Sequence, residues 1–168
     1  MERFTGWVSR LNVLVGLMVA PLAGIITLLV LYEVLVRYVF NAPTSWTAEV
    51  ENYLQIGMVM LGGGYALHHG GHVRVDVLYR NFGARGKAWV DVFTALCVLA
   101  SMTPIVYFGA DLSWEAFETG QTSVSAAEII LWPSMVMVPV GAALVGLQAL
   151  AGGLNGAATL LGHAPEGK

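Results

Sequence analysis

The stretch Ala66–Arg80, ALHHGGHVRVDVLYR, gathers three of the chain's four histidines beside an aspartate. Histidine and carboxylate are zinc-ligating side chains, and His68 and His72 stand four apart, the spacing that puts two ligands on one face of a helix. Gly70 and Gly71 fall between them, however, and glycine weakens the helix that would align the pair. Structural zinc takes four ligands, and the remaining histidine, His163, lies in the tail. Cys97, the only cysteine, sits inside an apolar run and reads as a small packing residue without metal-type spacing. No metal site is expected. Glu33 and Arg37 form a second candidate, four apart with the acid first, the better order for a helical ion pair. Charge near a bilayer is costly, so these two either pair on a solvated helix end or face another protein. No nucleophile–base pair, phosphate-cradling glycine loop or aligned acid pair occurs, so neither catalytic residues nor a cofactor are expected.

The elements that carry these residues follow from charge spacing. Hydrophobic residues make up 57% of the 168 residues and charged residues 11%, against about 25% charged in a soluble domain. Leu11–Tyr32, Asn52–Leu67, Val92–Ala110 and Ile129–Gly162 contain no Asp, Glu, Lys, Arg or His. A helix needs about 20 mainly apolar residues to cross a bilayer core. Three gaps reach that length, and Asn52–Leu67 reaches it by running into polar flanks. A soluble bundle would carry a polar outer face, yet Leu11–Tyr32 offers only Asn12 and Thr27. The expectation is an all-α membrane protein forming one domain, with four spans at about 11–36, 46–67, 88–110 and 126–151 and a mobile tail over 152–168. The first run is longer than a signal-peptide core and lacks a clear cleavage site, so it reads as an uncleaved anchor.

Lys and Arg orient the chain. Arg3, Arg10, Arg74, Arg80, Arg85, Lys87 and Lys168 fall on one side of such a four-span arrangement, and only Arg37 on the other. By the positive-inside rule both termini are cytoplasmic. The loop after the third span carries Asp111, Glu115, Glu118 and Glu128 and lies outside.

Met1–Arg10 reads as a short amphipathic lead-in with Phe4 and Trp7 at headgroup level. Gly16, Ala20 and Gly24 recur every four residues, a small-residue stripe that lets another helix approach. The first helix continues to Phe40; Leu11–Phe40 spans about 45 Å and so must tilt or project. NAPTSW then breaks it: Pro43 disfavours helix at Ala42, Thr44 or Ser45 can cap the next helix, and Glu49 and Glu51 sit in or near its first turns. Trp46 is placed as an interfacial anchor. Val73–Phe82 fits a surface helix through Val75, Leu78, Tyr79 and Phe82, and equally an extended piece through Val73, Val75 and Val77. Pro104 is expected to kink the third span. Ser125 and Glu128 fit a capping box opening the fourth, which Pro133 and Pro139 then interrupt.

EVLVRYVFNAPTSWTAEVENY, GGHVRVD, TGQTSVSAAEIILWP and VPVGAALVGLQAL together resemble the small membrane subunit of tripartite ATP-independent periplasmic (TRAP) transporters, the DctQ-like family. The R-Y-V-F-N-x-P-x-x-W-x-x-E run and H-V-R-V-D are the most specific parts, and the resemblance covers nearly the whole chain. It implies a bacterial inner-membrane protein that binds a large DctM-like subunit. That partner moves substrate and sodium by an elevator-like motion, a periplasmic binding protein delivers a small organic acid, and the small subunit is a fixed scaffold. Lipid is the other implied partner, and nucleic acid is not. It also implies interface roles for Arg37, Asn41, Pro43, Trp46 and Glu49 outside, which Glu33 joins as the partner of Arg37, and for His72, Arg74 and Asp76 at the cytoplasmic turn. Two rival classes remain: a haem- or quinone-binding redox anchor, disfavoured because no histidine lies at midplane depth, and a self-associating channel, which rests on Gly16, Ala20 and Gly24 alone.

Overall fold

A computed structural model describes residues 2–68 and 83–161. Four helices account for most of them: α1 (Glu2–Val39), α2 (Thr47–His68), α3 (Ala84–Thr119) and α4 (Trp132–Leu160). The described chain is otherwise turns and loop, with one isolated antiparallel bridge, Thr122 to Ile130. Among the described residues, three helices are long and apolar enough to cross a membrane: α1, α3 and α4. The expectation of four such helices meets its exception in α2, which is 22 residues long. Glu49, Glu51, Asn52 and Gln55 crowd its first half and Gly62–Gly64 dilute its second.

α1 and α3 extend beyond the expected spans at both ends, α2 nearly coincides with its span, and α4 starts and ends later than its span. α1 is continuous from Glu2, so the lead-in does not form a separate surface segment. It buries Val8 completely, while Phe4 and Trp7 stay exposed. At 1.5 Å per residue, the 38 residues of α1 reach about 57 Å, well beyond a hydrocarbon core of about 30 Å. α3 runs through Pro104 to Thr119. α4 continues to Leu160, so the first part of the supposed mobile tail is helical; residues 162–168 lie outside the described residues.

The start of α4 corrects another expectation. No side chain caps it, and its first residues are Trp132 and Pro133. Pro133 therefore opens the helix, where a missing N–H costs nothing, rather than interrupting it. Ser125 turns its hydroxyl to the backbone N–H of Ala127 at 3.1 Å, and Glu128 adopts a left-handed φ of 45°. The supposed capping box is thus a turn inside the loop, several residues ahead of the helix. Within α4, Pro139 packs its ring against Gly109 of α3, where a Cβ would come within 3.2 Å of the ring.

The helices form a row rather than a closed bundle. α1 packs on α2 and on the near edge of α4, α2 packs on α4, and α3 packs along α4 with no comparable contact to α1 or α2. Of the most apolar stretch of each helix, 44% is buried in α4, against 11% in α1 and 6% in α3. The seams are built from small residues, as close approach of membrane helices requires. Ala88, Ala95, Ala116, Ala142, Ala149 and Ala151 are buried. On one flank of α4, Gly141 lies against the Met60 carbonyl of α2; on the other, Gly153 and Gly156 lie against Ala95 and Ala88 of α3.

Candidate functional site

The connection between α1 and α2 is a polar junction. Glu33, two turns before the end of α1, is only 8% exposed. Its Oε1 accepts from Arg37 Nη2 at 2.6 Å and Nε at 3.2 Å. Its Oε2 accepts from the Thr47 hydroxyl at 3.1 Å and from the Thr44 hydroxyl, which also touches Thr47. Neither Thr44 nor Ser45 caps α2; the Val50 N–H donates to the Trp46 carbonyl at 3.1 Å, so the helix begins with Trp46 outside it. Thr44 serves the carboxylate instead, tying the base of α2 to the end of α1. Asn41 provides the left-handed residue, φ 50°, that turns the chain. Asn tolerates that conformation better than most residues, and Pro43 holds the segment extended. Trp46 packs on Tyr32 with ring centroids 6.2 Å apart. Arg37 remains half exposed, its side chain at 52%, so the ion pair presents a charged outer edge.

A second junction lies beside it. Gly120, φ 62°, ends α3, and the following loop folds back. The Ser123 N–H donates to the Ile129 carbonyl at 2.8 Å and the Leu131 N–H to the Gln121 carbonyl at 3.0 Å. This loop docks on the first turns of α2. The Ser123 hydroxyl lies 2.7 Å from both Glu49 oxygens, and the Tyr53 hydroxyl donates to the Ile130 carbonyl at 2.8 Å. Below the contact is an open cavity of about 470 Å³ with Glu49, Asn52, Gln55, Ser123 and Ser134 in its wall.

Toward the other end of α1, Asn12 is completely buried. Its amide donates to the Val8 carbonyl at 3.1 Å and to Gln148 Oε1 of α4 at 3.0 Å. Its own carbonyl finds no N–H or O–H donor and lies against Gly64 of α2, where a Cβ would overlap it. This one side chain therefore touches both neighbouring helices. Of the small-residue stripe, Gly16 faces the Tyr65 ring of α2, Gly24 faces open space, and Ala20 is exposed.

The structure thus brings Glu33 and Arg37 together, sets Asn41, Pro43 and Trp46 around them, and places Glu49 in the adjacent junction. His72, Arg74 and Asp76 lie outside the described residues. Among the described residues no three His, Cys, Asp or Glu side chains cluster as metal ligands. The spacing of residues does not single out Thr47, Ser123 or the Asn12–Gln148 pair. Their only sequence signal is that each is a polar residue in or beside a long apolar run. What these arrangements do is hold helices in register; none aligns a nucleophile with a base.

The family model for the DctQ component of tripartite ATP-independent periplasmic transporters matches residues 26–158. Three curated relatives bear TRAP small permease names. The ectoine TRAP transporter small permease protein TeaB of Halomonas elongata is 25% identical over 118 residues, 70% of this chain and 61% of that protein. The C4-dicarboxylate TRAP transporter small permease protein DctQ of Vibrio cholerae is 28% identical over 102 residues, 61% of this chain and 44% of that protein. A putative TRAP transporter small permease protein of Haemophilus influenzae is 28% identical over 108 residues, 64% of this chain and 65% of that protein. The chain thus spans less than two thirds of the length of each.

Proposed function

This chain belongs to the DctQ family, the small membrane component of TRAP transporters, and on that premise we propose that it is a non-catalytic scaffold for a large DctM-like permease subunit. The complex takes up a small organic acid with sodium, and a periplasmic binding protein delivers the substrate. The observation that carries this reading is the family match over residues 26–158, which contains the Glu33–Thr47 junction, the Glu49–Ser123 junction and nearly all of α4. The relative named for C4-dicarboxylate supports the solute class.

In this reading α2 is the fourth span. It lies between α1 and α4, both apolar enough to cross, and 22 helical residues reach about 33 Å, just enough for the core. Both termini are cytoplasmic because the Lys and Arg residues fall on that side. The Glu33 and Glu49 junctions are then periplasmic, and His72, Arg74 and Asp76 belong to the cytoplasmic turn. Glu33, Arg37, Asn41, Pro43, Trp46 and Glu49 shape the edge that meets the partners. Ala20 and Gly24 leave α1 a smooth strip open to another helix.

The physical role is that of a wall. A transport domain that slides needs a stationary surface to slide against. A row of helices locked by Asn12, by the Glu33 cluster and by small-residue seams supplies rigidity while leaving wide apolar flanks for lipid. The test is reconstitution. Liposomes holding this chain, the large subunit and the binding protein take up substrate down a sodium gradient, and liposomes holding this chain alone do not. Sodium-driven uptake by the isolated chain would overturn the scaffold role.

A further inference from the structure

The outward faces of the row differ in chemistry. α1 turns Leu14, Leu17, Met18, Ile25 and Leu28 outward, and α3 turns Phe93, Leu96, Ile105 and Phe108 outward. These faces suit hydrocarbon. The outward face of α2 carries Asn52 and Gln55, both exposed, above Val59. Three residues apart, they share one side of the helix. Neither amide has a hydrogen-bond partner among the described residues, and both border the cavity of about 470 Å³.

Depth makes those amides consequential. α2 is 22 residues long and needs nearly all of that length to cross a core of about 30 Å. Gln55 lies eight residues past Thr47, about 12 Å along the axis at 1.5 Å per residue, and so within the hydrocarbon layer. Lipid tails offer a carboxamide no partner, whereas polar side chains on a neighbouring helix do.

We infer that the Asn52–Gln55 face of α2 is the surface on which the large permease subunit docks, through a membrane helix that presents hydrogen-bonding side chains to these two amides. This rests on the scaffold reading above and adds which face of the row is used and by what chemistry. The apolar outer face of α3 is left to lipid.

The experiment uses this chain co-expressed with the large subunit and purified as a complex. The double variant Asn52→Leu, Gln55→Leu keeps the bulk of the face and removes its hydrogen bonds. It is expected to weaken association about tenfold, read as the large subunit retained on serial dilution in detergent. Phe93→Leu on α3 is expected to leave retention unchanged. Helicity and detergent unfolding of the isolated variant report whether it still folds. A photo-crosslinker at position 55 of an otherwise native chain supplies the second readout and is expected to label a helix of the large subunit. Full retention by the double variant, or labelling of lipid alone, overturns the inference while leaving the scaffold reading standing. Failure of the wild-type chain to retain any large subunit overturns the scaffold reading itself.

Discussion

Gly141→Ala tests whether α2 and α4 are held together by backbone contact. An alanine Cβ at this position would stand 2.5 Å from the Met60 carbonyl carbon and 2.7 Å from Met60 Cβ, where ordinary contact begins at 3.4 Å. The gap to be opened is therefore about 0.9 Å at the carbonyl carbon, and the Met60 carbonyl oxygen lies nearer still. Because the obstacle is main chain, no rotamer change relieves it, and the two helices must part along the seam. A radial gap of that order forfeits a quarter to a half of each dispersion contact it separates. Overpacking of this kind costs about 1–3 kcal/mol, and the better helix propensity of alanine returns at most about 1 kcal/mol. The expected net loss is up to about 2 kcal/mol. Gly63→Ala meets only the end of a side chain, Val145 Cγ2 at 2.9 Å, and Gly24→Ala meets nothing. Detergent-to-SDS titration of the purified chain, followed by helicity, should therefore rank Gly141→Ala least stable, Gly63→Ala intermediate and Gly24→Ala at or above wild type. Coincident midpoints for Gly141→Ala and Gly24→Ala would refute the close approach of α2 and α4.

Asn12→Ala removes the bond from α1 to Gln148 of α4 and should lower stability in the same titration by about 0.6 kcal/mol and at most about 1.7, the range for interhelical hydrogen bonds in membranes; a wild-type midpoint would show that the clamp carries no weight. Arg37→Ala leaves Glu33 with its threonine donors but strips the charged outer edge of the junction, so uptake by the reconstituted system should fall several-fold at unchanged membrane abundance. Unchanged uptake would remove Arg37 from the interface. Dialysis against a chelator should leave the unfolding midpoint where it was, and elemental analysis should find no stoichiometric metal; one tightly held equivalent, lost on His68→Ala, would reinstate a metal site in the histidine stretch.

Charge spacing made the helices legible, because the cost of placing charge in hydrocarbon is large enough to be read residue by residue. Helix ends were less legible. α1 and α3 run past the apolar boundary, since a helix does not stop where the lipid does; it stops where Asn41 or Gly120 supplies a left-handed residue. Ser125 and Glu128 have the spacing of a capping box, but the loop closing between Thr122 and Ile130 recruits Ser125 for its own turn before α4 can use it. The order of the row was not legible either. It depends on which glycine meets which backbone, and Gly141 and Gly153 look alike until their partners, Met60 and Ala95, are known. At the junctions, the Glu33–Arg37 pair follows from a four-residue interval. The two threonines that complete it sit across a turn, and the partner of Asn12 lies 136 residues away. Local periodicity carries no information at that range.

The place of α4 in the row has a consequence for synthesis. Three helices precede it in the chain; among the described residues α1 packs on α2, and α3 makes no comparable contact with either. α3 enters the lipid with most of its length bare and waits there until α4, emerging behind it, supplies a neighbour. α4 also closes the far side of α2. Maturation of this fold therefore hinges on a latecomer, and a ribosome that stalls before residue 132 leaves a hairpin and a third helix that, among the described residues, has no packing partner.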